Sequence, residues 1–547
     1  MPLFLAFIVA LAITTACTPL LQHLAPKVGL TDSPGGRKMH TGHVPRVGGI
    51  AMVAGILVPT LAMAKLNAPL TGLLCGLVVL LVFGVWDDRT DLDYRLKFLG
   101  QVLAVALCMV IGDVRIESVT LDLRHQLPEP LSWALTLVFL VGVTNAINLA
   151  DGLDGLAGGL ALLCLCAIGA IAAIGGNSTV TAVALIESGA ILGFLRFNTH
   201  PARVFMGDGG SQVLGFSIGV LAIMATQAES SPLSASLPLL LMGLPILDTL
   251  VVMASRIRSG RSPFSSDRNH FHHRLLGLGF AHPEAVVLIY CVQVALFLLA
   301  YFLRFESDLW IVGAFGAFTA VFLLSLRWAA HSGWRAHTGR ALPIASSVLS
   351  RLREAKLRGV LMQISAYVMG LGLVAYAVAV IVATSHIGGD IGVLCAALLA
   401  MLLFLSRTTA AQSRAWPEHL AAFISVILLV YLDQTMPDRD AALSGLTWVI
   451  IGVTFGAALL HFALQESRRF EVTALDVLIA FIALVVPNLP GFVSLPEDLP
   501  AGIVKAVALL YVVEMFEGVG IRRSVPRAFL AVTLTSIAIR GLAAFAA

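Results

Sequence analysis

The chain has 547 residues, of which 58% are hydrophobic and 12% charged, about half the charged fraction of an average soluble protein. So few charges cannot coat a water-facing surface, which excludes an ordinary soluble globule. The net charge of +3 carries no signal for nucleic acid, and no nucleic-acid partner is expected.

Repeated apolar runs of roughly 18–25 residues read as membrane-spanning helices, about 18 in all. The first eleven lie near 2–24, 48–66, 68–86, 97–113, 131–147, 156–175, 178–196, 211–227, 236–255, 283–303 and 308–327. The N-terminal run lacks a positive flank, as does Thr14–Cys17, so it is expected to stay as a helix rather than be cleaved. Residues 112–127 alternate weakly in period two and predict a short hairpin on the outer side. A polar stretch rich in Arg, Ser and Ala over 327–358 then divides the chain. Seven further runs follow near 358–385, 389–406, 416–432, 444–465, 474–488, 502–517 and 527–545.

The expected fold is thus an all-α polytopic membrane protein. Residues 1–327 form a part of eleven helices, 328–358 a basic cytoplasmic linker, and 359–547 an accessory membrane domain of seven helices with no motif of known role. Glu514 and Glu517, offset by Arg522 and Arg523, are the main polar feature of that second part. The seven cysteines all lie in apolar runs and fit no metal spacing or disulfide framework.

Lysine and arginine collect in alternate loops, 25–47, 256–274, 327–358 and 466–472, and are scarce in 385–390, 433–442 and 487–500. Basic loops stay in the cytoplasm. This parity holds along the chain and places both termini outside. It also puts five polar motifs on the cytoplasmic side: "RKMHTGHVPRVGGI" at 37–50, "DDRTD" at 87–91, "NAINLADGLDGLAGG" at 145–159, "RVFMGDGGS" at 203–211 and "DRNHFHHRL" at 267–275. A weaker sixth, "PILDT" at 245–249, ends near the same face.

Asp87, Asp88, Asp151, Asp154 and Asp208 are carboxylates near the ends of apolar helices. Clustered carboxylates repel and need a compensating cation. Hard oxygen donors without cysteine suit Mg²⁺ rather than zinc. The competing reading of a loop acid is a helix cap or an arginine partner, and Asp91 and Asp93 are assigned to that class. The glycines of "DGLDGLAGG" and "MGDGGS" allow tight turns and close approach to a ligand, with Ser211 a candidate cap and backbone N–H groups facing an anion. Close helix packing explains them equally. Asn145, Asn148 and Asp151 share one helix face, fit for interhelical hydrogen bonding or for a ligand. His270, His272, His273 and Arg274 read as a cationic, hydrogen-bonding cradle for a diphosphate or sugar, against a basic loop on anionic lipid. Lys38, His40 and their neighbours form a phosphate-attracting loop.

In their order, these motifs resemble those of the polyprenyl-phosphate N-acetylhexosamine-1-phosphate transferases. The likeness covers residues 1 to about 327. The His-Phe-His-His segment and Asp91 are similar to the undecaprenyl-phosphate GlcNAc-1-phosphate transferase branch. The phospho-MurNAc-pentapeptide transferase branch has three adjacent histidines and a lysine ending its Asp-Asp motif. The resemblance implies transfer of a sugar 1-phosphate, with GlcNAc as the expected sugar, from a UDP-N-acetylhexosamine to a polyprenyl phosphate at the cytoplasmic face of a bacterial inner membrane. It implies Mg²⁺, with Mn²⁺ as a substitute, and a homodimer in membrane lipid. Asp87, Asp88 and Asp208 are then the catalytic residues, with Asp208, Asp151 and Asp88 around the metal. Lys38, His40, Asn145, Asn148, Asp151, Asp154, His270, His272, His273 and Arg274 are then substrate-binding. The alternative of another class is a transporter or flippase of a lipid-linked sugar, which would carry its polar groups near the bilayer midplane.

Overall fold

A computed structural model describes residues 2–32, 44–63, 65–228, 231–262, 269–336, 358–385, 387–408, 415–434, 441–464, 478, 499–518 and 524–546. The protein is an all-α polytopic membrane protein. Among the described residues, 11 helices are long and apolar enough to cross a membrane, and five shorter apolar helices accompany them. The run expected near 474–488 lies outside the described residues, apart from residue 478. The chain separates into two compact units, residues 1–338 with 473–478, and 339–472 with 479–547.

The first unit contains α1 (Pro2–Val28), α2 (Gly48–Met63), α3 (Ala68–Thr90), α4 (Tyr94–Gly112), α5 (Glu129–Ala150), α6 (Leu156–Ile174) and α7 (Ser178–Asn198). It continues through α8 (Gly207–Thr226), α9 (Pro238–Leu241), α10 (Gly243–Arg258), α11 (Phe271–Gly277), α12 (His282–Leu303) and α13 (Asp308–His331). The run expected at 236–255 is split into α9 and α10. Pro245 has no N–H and its ring would clash with the carbonyl of Leu241, so a helix starting at Pro238 cannot run through it.

Helix α8 is the axis of this unit. It is almost wholly buried and packs against α2, α3, α5 and α6. Glycines let its first turn come unusually close to two neighbours. A Cβ on Gly84 of α3 would lie 2.1 Å from the Cα of Gly209, and one on Gly49 of α2 would lie 2.4 Å from the nitrogen of Gly210. Backbone-to-backbone packing of this kind needs small residues. At the periphery, α13 exposes Leu309, Trp310, Val321, Leu324 and Trp328, a surface suited to lipid tails rather than water.

Two small sheets complete the unit. β1 (Thr31–Asp32) pairs antiparallel with β2 (Val44–Pro45) beside α2. The expected hairpin is β3 (Ser118–Thr120) with β4 (Arg124–Gln126). It is tied down by Gln227, whose Oε1 accepts from the backbone of Glu117 and Ser118, and by Asp308, whose Oδ2 accepts from Thr120 N at 2.6 Å.

The second unit contains α14 (Arg358–Ala383), α15 (Gly389–Thr408), α16 (Ala415–Gln434), α17 (Ala441–Leu464), α18 (Leu499–Gly518) and α19 (Ser524–Ala546). α14 packs on α17 and α19, α15 on α19, and α18 on α16 and α17. The expectation about Glu514, Glu517, Arg522 and Arg523 falls outside the described side chains. A different polar feature is present. Lys505 and Asp433, both fully buried, form an ion pair at 2.7 Å. The hydroxyls of Thr447 and Tyr376 lie 2.9 and 3.1 Å from them, on Lys505 Nζ and Asp433 Oδ2 respectively. A charge inside an apolar bundle is tolerated when it is paired and hydrogen-bonded in this way.

Candidate active site

The site is built on the first turn of α8. Gly207 has φ +74°, a conformation open to glycine, and this directs the N–H groups of Asp208 and Gly209 onto one carboxylate. That carboxylate is Asp88, at 3.0 and 3.3 Å. The anion expected at this helix start is therefore a side chain of the protein itself. Ser211 is not the cap, because α8 begins four residues earlier. Its hydroxyl instead bonds Gly207 O at 3.1 Å and accepts from Asn148 Nδ2 at 2.8 Å.

Asp87, one residue before Asp88 near the end of α3, is buried, with its carboxyl against that of Asp208. Its Oδ1 accepts from Leu92 N at 2.7 Å, and its Oδ2 meets Lys97 Nζ at 2.6 Å. Lys97 reaches Asp208 Oδ2 at 3.1 Å with the same ammonium, while Asn148 donates to Asp208 Oδ1 at 3.2 Å. Lys97 thus bridges two carboxylates from α3 and α8, and both it and Asp208 keep part of their side chains open to solvent. Sequence reasoning does not single out Lys97. Its position one turn inside α4, directly after the acidic cluster, was the available signal.

Asp91 ends α3 in the left-handed region, φ +53°, with its N–H on Asp87 O at 2.8 Å. That is a helix-terminating role. Asp91→Asn is expected to retain activity within a few-fold, since asparagine tolerates this conformation. Asp88→Asn should lose far more, because an amide cannot replace the charge that two N–H groups converge on. Equal losses in an activity assay would place Asp91 in the site.

Residues 44–49 run beside 205–206. Phe205 N bonds Pro45 O at 2.8 Å, and Gly48 N and Gly49 N bond Phe205 O and Met206 O at 3.0 and 2.9 Å. This ladder fixes Arg46, which pairs with Asp32 and lies 3.7 Å from Asp88. Lys38 and His40 lie outside the described residues.

The end of α5 and the loop that leads to α6 divide their polar side chains among four places. Asn148 faces Asp208, as above. Asn145 sits deeper and bonds Gln101 at 2.7 Å, which in turn donates to Gln212 at 3.1 Å, an amide chain joining α4, α5 and α8. Asp151 opens to solvent at the rim, yet protein atoms surround it. That desolvation, and then the charges of Asp208, Asp88 and Asp154, push its carboxyl up to about 7. Asp154 turns to the other side and bonds His200 Nδ1 at 2.7 Å.

The histidine segment is held by Asp248 of "PILDT". Its Oδ2 meets His270 Nδ1 at 2.8 Å and its Oδ1 accepts from Phe271 N at 2.9 Å. His272 is buried and packs on the α5–α6 loop; a Cβ on Gly152 would fall 2.5 Å from its ring. Burial first, then His273, His270 and His282, push His272 down to about 3. It is therefore neutral near pH 7, a hydrogen-bonding rather than a cationic member of the cradle. His273 packs beside it at 4.3 Å between ring centroids, and Arg274 bonds Asn269 O at 2.9 Å. Asp248→Ala is expected to release this segment, raising KM for the ligand that these histidines face about tenfold or more, while the heat stability of the helices changes little. An unchanged KM would make Asp248 a packing residue only.

Asp87, Asp88, Asp151 and Asp208 bring four carboxyl groups to the α8 turn, of which Asp151 is only part-ionised near pH 7. Lys97 and Arg46 bring two positive charges, and Arg46 is shared with Asp32. The remaining negative charge and the all-oxygen donor set fit a hard divalent cation such as Mg²⁺, with the partly open Asp208 and Asp151 as its protein donors.

The sequence profile of glycosyl transferase family 4 matches residues 70–226. The chain is 34% identical over 291 residues to a probable undecaprenyl-phosphate N-acetylglucosaminyl 1-phosphate transferase of Bacillus subtilis, spanning 52% of this chain and 81% of that one. It is 34% identical over 283 residues to the undecaprenyl-phosphate alpha-N-acetylglucosaminyl 1-phosphate transferase of Escherichia coli O157:H7, 50% of this chain and 77% of the relative. A decaprenyl-phosphate N-acetylglucosaminephosphotransferase of Mycolicibacterium smegmatis is 33% identical over 326 residues, 53% of this chain and 79% of the relative.

Proposed function

The chain belongs to the polyprenyl-phosphate N-acetylhexosamine-1-phosphate transferase family, and from that premise we propose how its first unit carries out the transfer. The enzyme moves GlcNAc 1-phosphate from UDP-GlcNAc to a polyprenyl phosphate at the cytoplasmic face of the bacterial inner membrane, and so begins a lipid-linked envelope glycan. An oxygen of the lipid phosphate forms a bond to the β-phosphorus of the donor. The bond from that phosphorus to the bridging oxygen breaks, and UMP leaves with that oxygen.

The observation that supports this most is Lys97 bridging Asp87, near the end of α3, and Asp208, in the first turn of α8. One substrate keeps its tail in the bilayer and its phosphate at the surface, while the other arrives from the cytosol. A carboxylate centre at helix ends is where the two can meet. Asp208 and Asp151 are proposed to hold Mg²⁺, which Mn²⁺ can replace, and which screens charge on both phosphates when bound. Asp88 keeps the α8 turn in shape. Lys97 offers its ammonium to the incoming phosphate, exchanging one anionic partner for another. Asp87, bonded to Leu92 N and Lys97, holds that ammonium in place. A phosphomonoester has its second pKa near about 6 and is mostly dianionic at neutral pH. Positioning then contributes more than proton removal. The neutral His272, with His273 and Arg274 beside it, forms the wall next to Asp151 and is proposed to face the sugar diphosphate.

Purified protein, undecaprenyl phosphate and labelled UDP-GlcNAc, with Mg²⁺ or with EDTA, test the proposal. Mg²⁺-dependent appearance of label in lipid together with UMP is expected. Transfer from another UDP-N-acetylhexosamine alone would change the sugar. No transfer from any UDP-sugar by folded protein would overturn the reading in favour of a lipid-linked sugar transporter.

A further inference from the structure

Asp154, His200 and His282 come from three separate segments: the α5–α6 loop, the loop after α7, and the first residue of α12. One ligand atom from each lies within 4.8 Å of the others. Asp154 Oδ2 is held by His200 Nδ1 at 2.7 Å and by Ala202 N at 3.1 Å, and Asp154 N donates to His282 Nε2 at 3.3 Å. The two imidazoles stack at 4.2 Å between centroids. His282 Nδ1 is buried and has no hydrogen-bond partner among the described residues. With Nε2 as acceptor, Nδ1 carries the ring proton, so the lone pair this ring offers to an ion is that of Nε2, in place of the long 3.3 Å contact to Asp154 N.

We propose that Asp154, His200 and His282 form a second cation site, for a borderline divalent ion of the Zn²⁺ type, separate from the carboxylate centre. Two imidazoles and one carboxylate are the donor set of a transition ion, whereas Mg²⁺ prefers oxygen alone. In a tetrahedral site with bonds of about 2.1 Å, ligand atoms stand about 3.4 Å apart. Here the ligand atoms lie within 4.8 Å of one another, the hydrogen-bonded His200 Nδ1 and Asp154 Oδ2 at 2.7 Å would move apart around the ion, and His200, with 43% of its side chain exposed, has room to shift. The ion takes the place of the proton shared by His200 and Asp154, which is released to solvent. Once bound, it ties three segments together beside Asp151 and Gly152 and so braces the wall on which His272 rests. This inference does not depend on the transferase reading.

The test uses the full-length chain without a histidine tag, stripped of metal, in detergent with excess Mg²⁺. Zn²⁺ is titrated against a chromophoric chelator. The expected result is one Zn²⁺ per chain held against Mg²⁺, with affinity lower by about tenfold or more in His200→Ala and in His282→Ala. Asp208→Asn should bind Zn²⁺ as the wild type does. Zn²⁺ should also raise the melting temperature of the wild type and not of His200→Ala. No Zn²⁺ bound in excess Mg²⁺, or equal affinity in both histidine variants, would overturn the proposal. His200→Ala removes a half-exposed ring, so the test does not hinge on the more buried His282. Co²⁺ in the wild type gives an independent reading: visible bands of a nitrogen-ligated site support the proposal, and the spectrum of the hydrated ion contradicts it.

Discussion

Asp208→Asn is expected to lower transfer by about a thousandfold or more, with the protein still folded in detergent. The side chain is partly open to solvent, and one of its oxygens bonds Asn148 while the other bonds Lys97. Asparagine keeps the shape and can still accept from Asn148. It loses the charge that Lys97 and the cation need. Its NH₂ would also face the Lys97 ammonium, donor against donor. The loss therefore falls on charge, not on packing, and the melting temperature should move by only a few degrees. The half-saturating Mg²⁺ concentration should rise in the residual activity. The transfer assay with a Mg²⁺ titration, beside a thermal melt, checks all three. Wild-type turnover would remove Asp208 from the metal assignment. A collapsed melt would mean that the ion pair with Lys97 holds the unit together.

The helices were readable because apolar length is a strong signal in a chain with so few charges. The runs near 156–175, 178–196 and 283–303 agree with α6, α7 and α12 to within two residues at each end. Boundaries failed where a local contact outside the helix decided them. α8 starts at Gly207 rather than 211, because Asp88 on α3 supplies acceptors for its first N–H groups. No periodicity in 203–227 contains that information. The run at 236–255 divides at Met242, three residues ahead of Pro245, a proline that the hydropathy window averages away.

Side chains sort in the same manner. The acids and Asn148 could be picked out because carboxylates at the ends of apolar helices demand an explanation. Which partner each one takes depends on residues about 60 to 120 positions away, as with Asn148–Asp208 and Asp88–Asp208. Asn145 shares a helix face with Asn148 and still ends in an amide chain with Gln101. Asp154 is three residues from Asp151 and turns to His200. Asp248 carried a weak motif and proved to order the histidine segment. In the second unit, Lys505 and Asp433 are 72 positions apart, and each alone reads as a charge at the edge of an apolar run. The pair exists only once α16 and α18 are packed together.

Lys97→Met is expected to produce the second large loss, about a hundredfold to a thousandfold in kcat/KM for the lipid substrate. It also separates two roles that Asp208→Asn mixes. In the protein, the Lys97 ammonium competes with a divalent cation for Asp208 and partners Asp87. Methionine fills a similar volume without charge, so the carboxylates become more negative in sum. Mg²⁺ should then bind more tightly, and its half-saturating concentration should fall several-fold, opposite in sign to the change in Asp208→Asn. Catalysis should drop nonetheless, because the incoming phosphate has lost the cation that receives it. Weaker binding of both Mg²⁺ and lipid phosphate would instead mean that Lys97 only holds the two carboxylates in position. Lys97→Arg distinguishes these further. A planar guanidinium can bridge Asp87 and Asp208 but cannot match the compact ammonium contact of 2.6 Å. If Lys97 meets the phosphate, arginine should restore part of kcat while leaving Mg²⁺ affinity close to wild type. If it only shapes the site, arginine and methionine should differ in stability and not in the response to Mg²⁺.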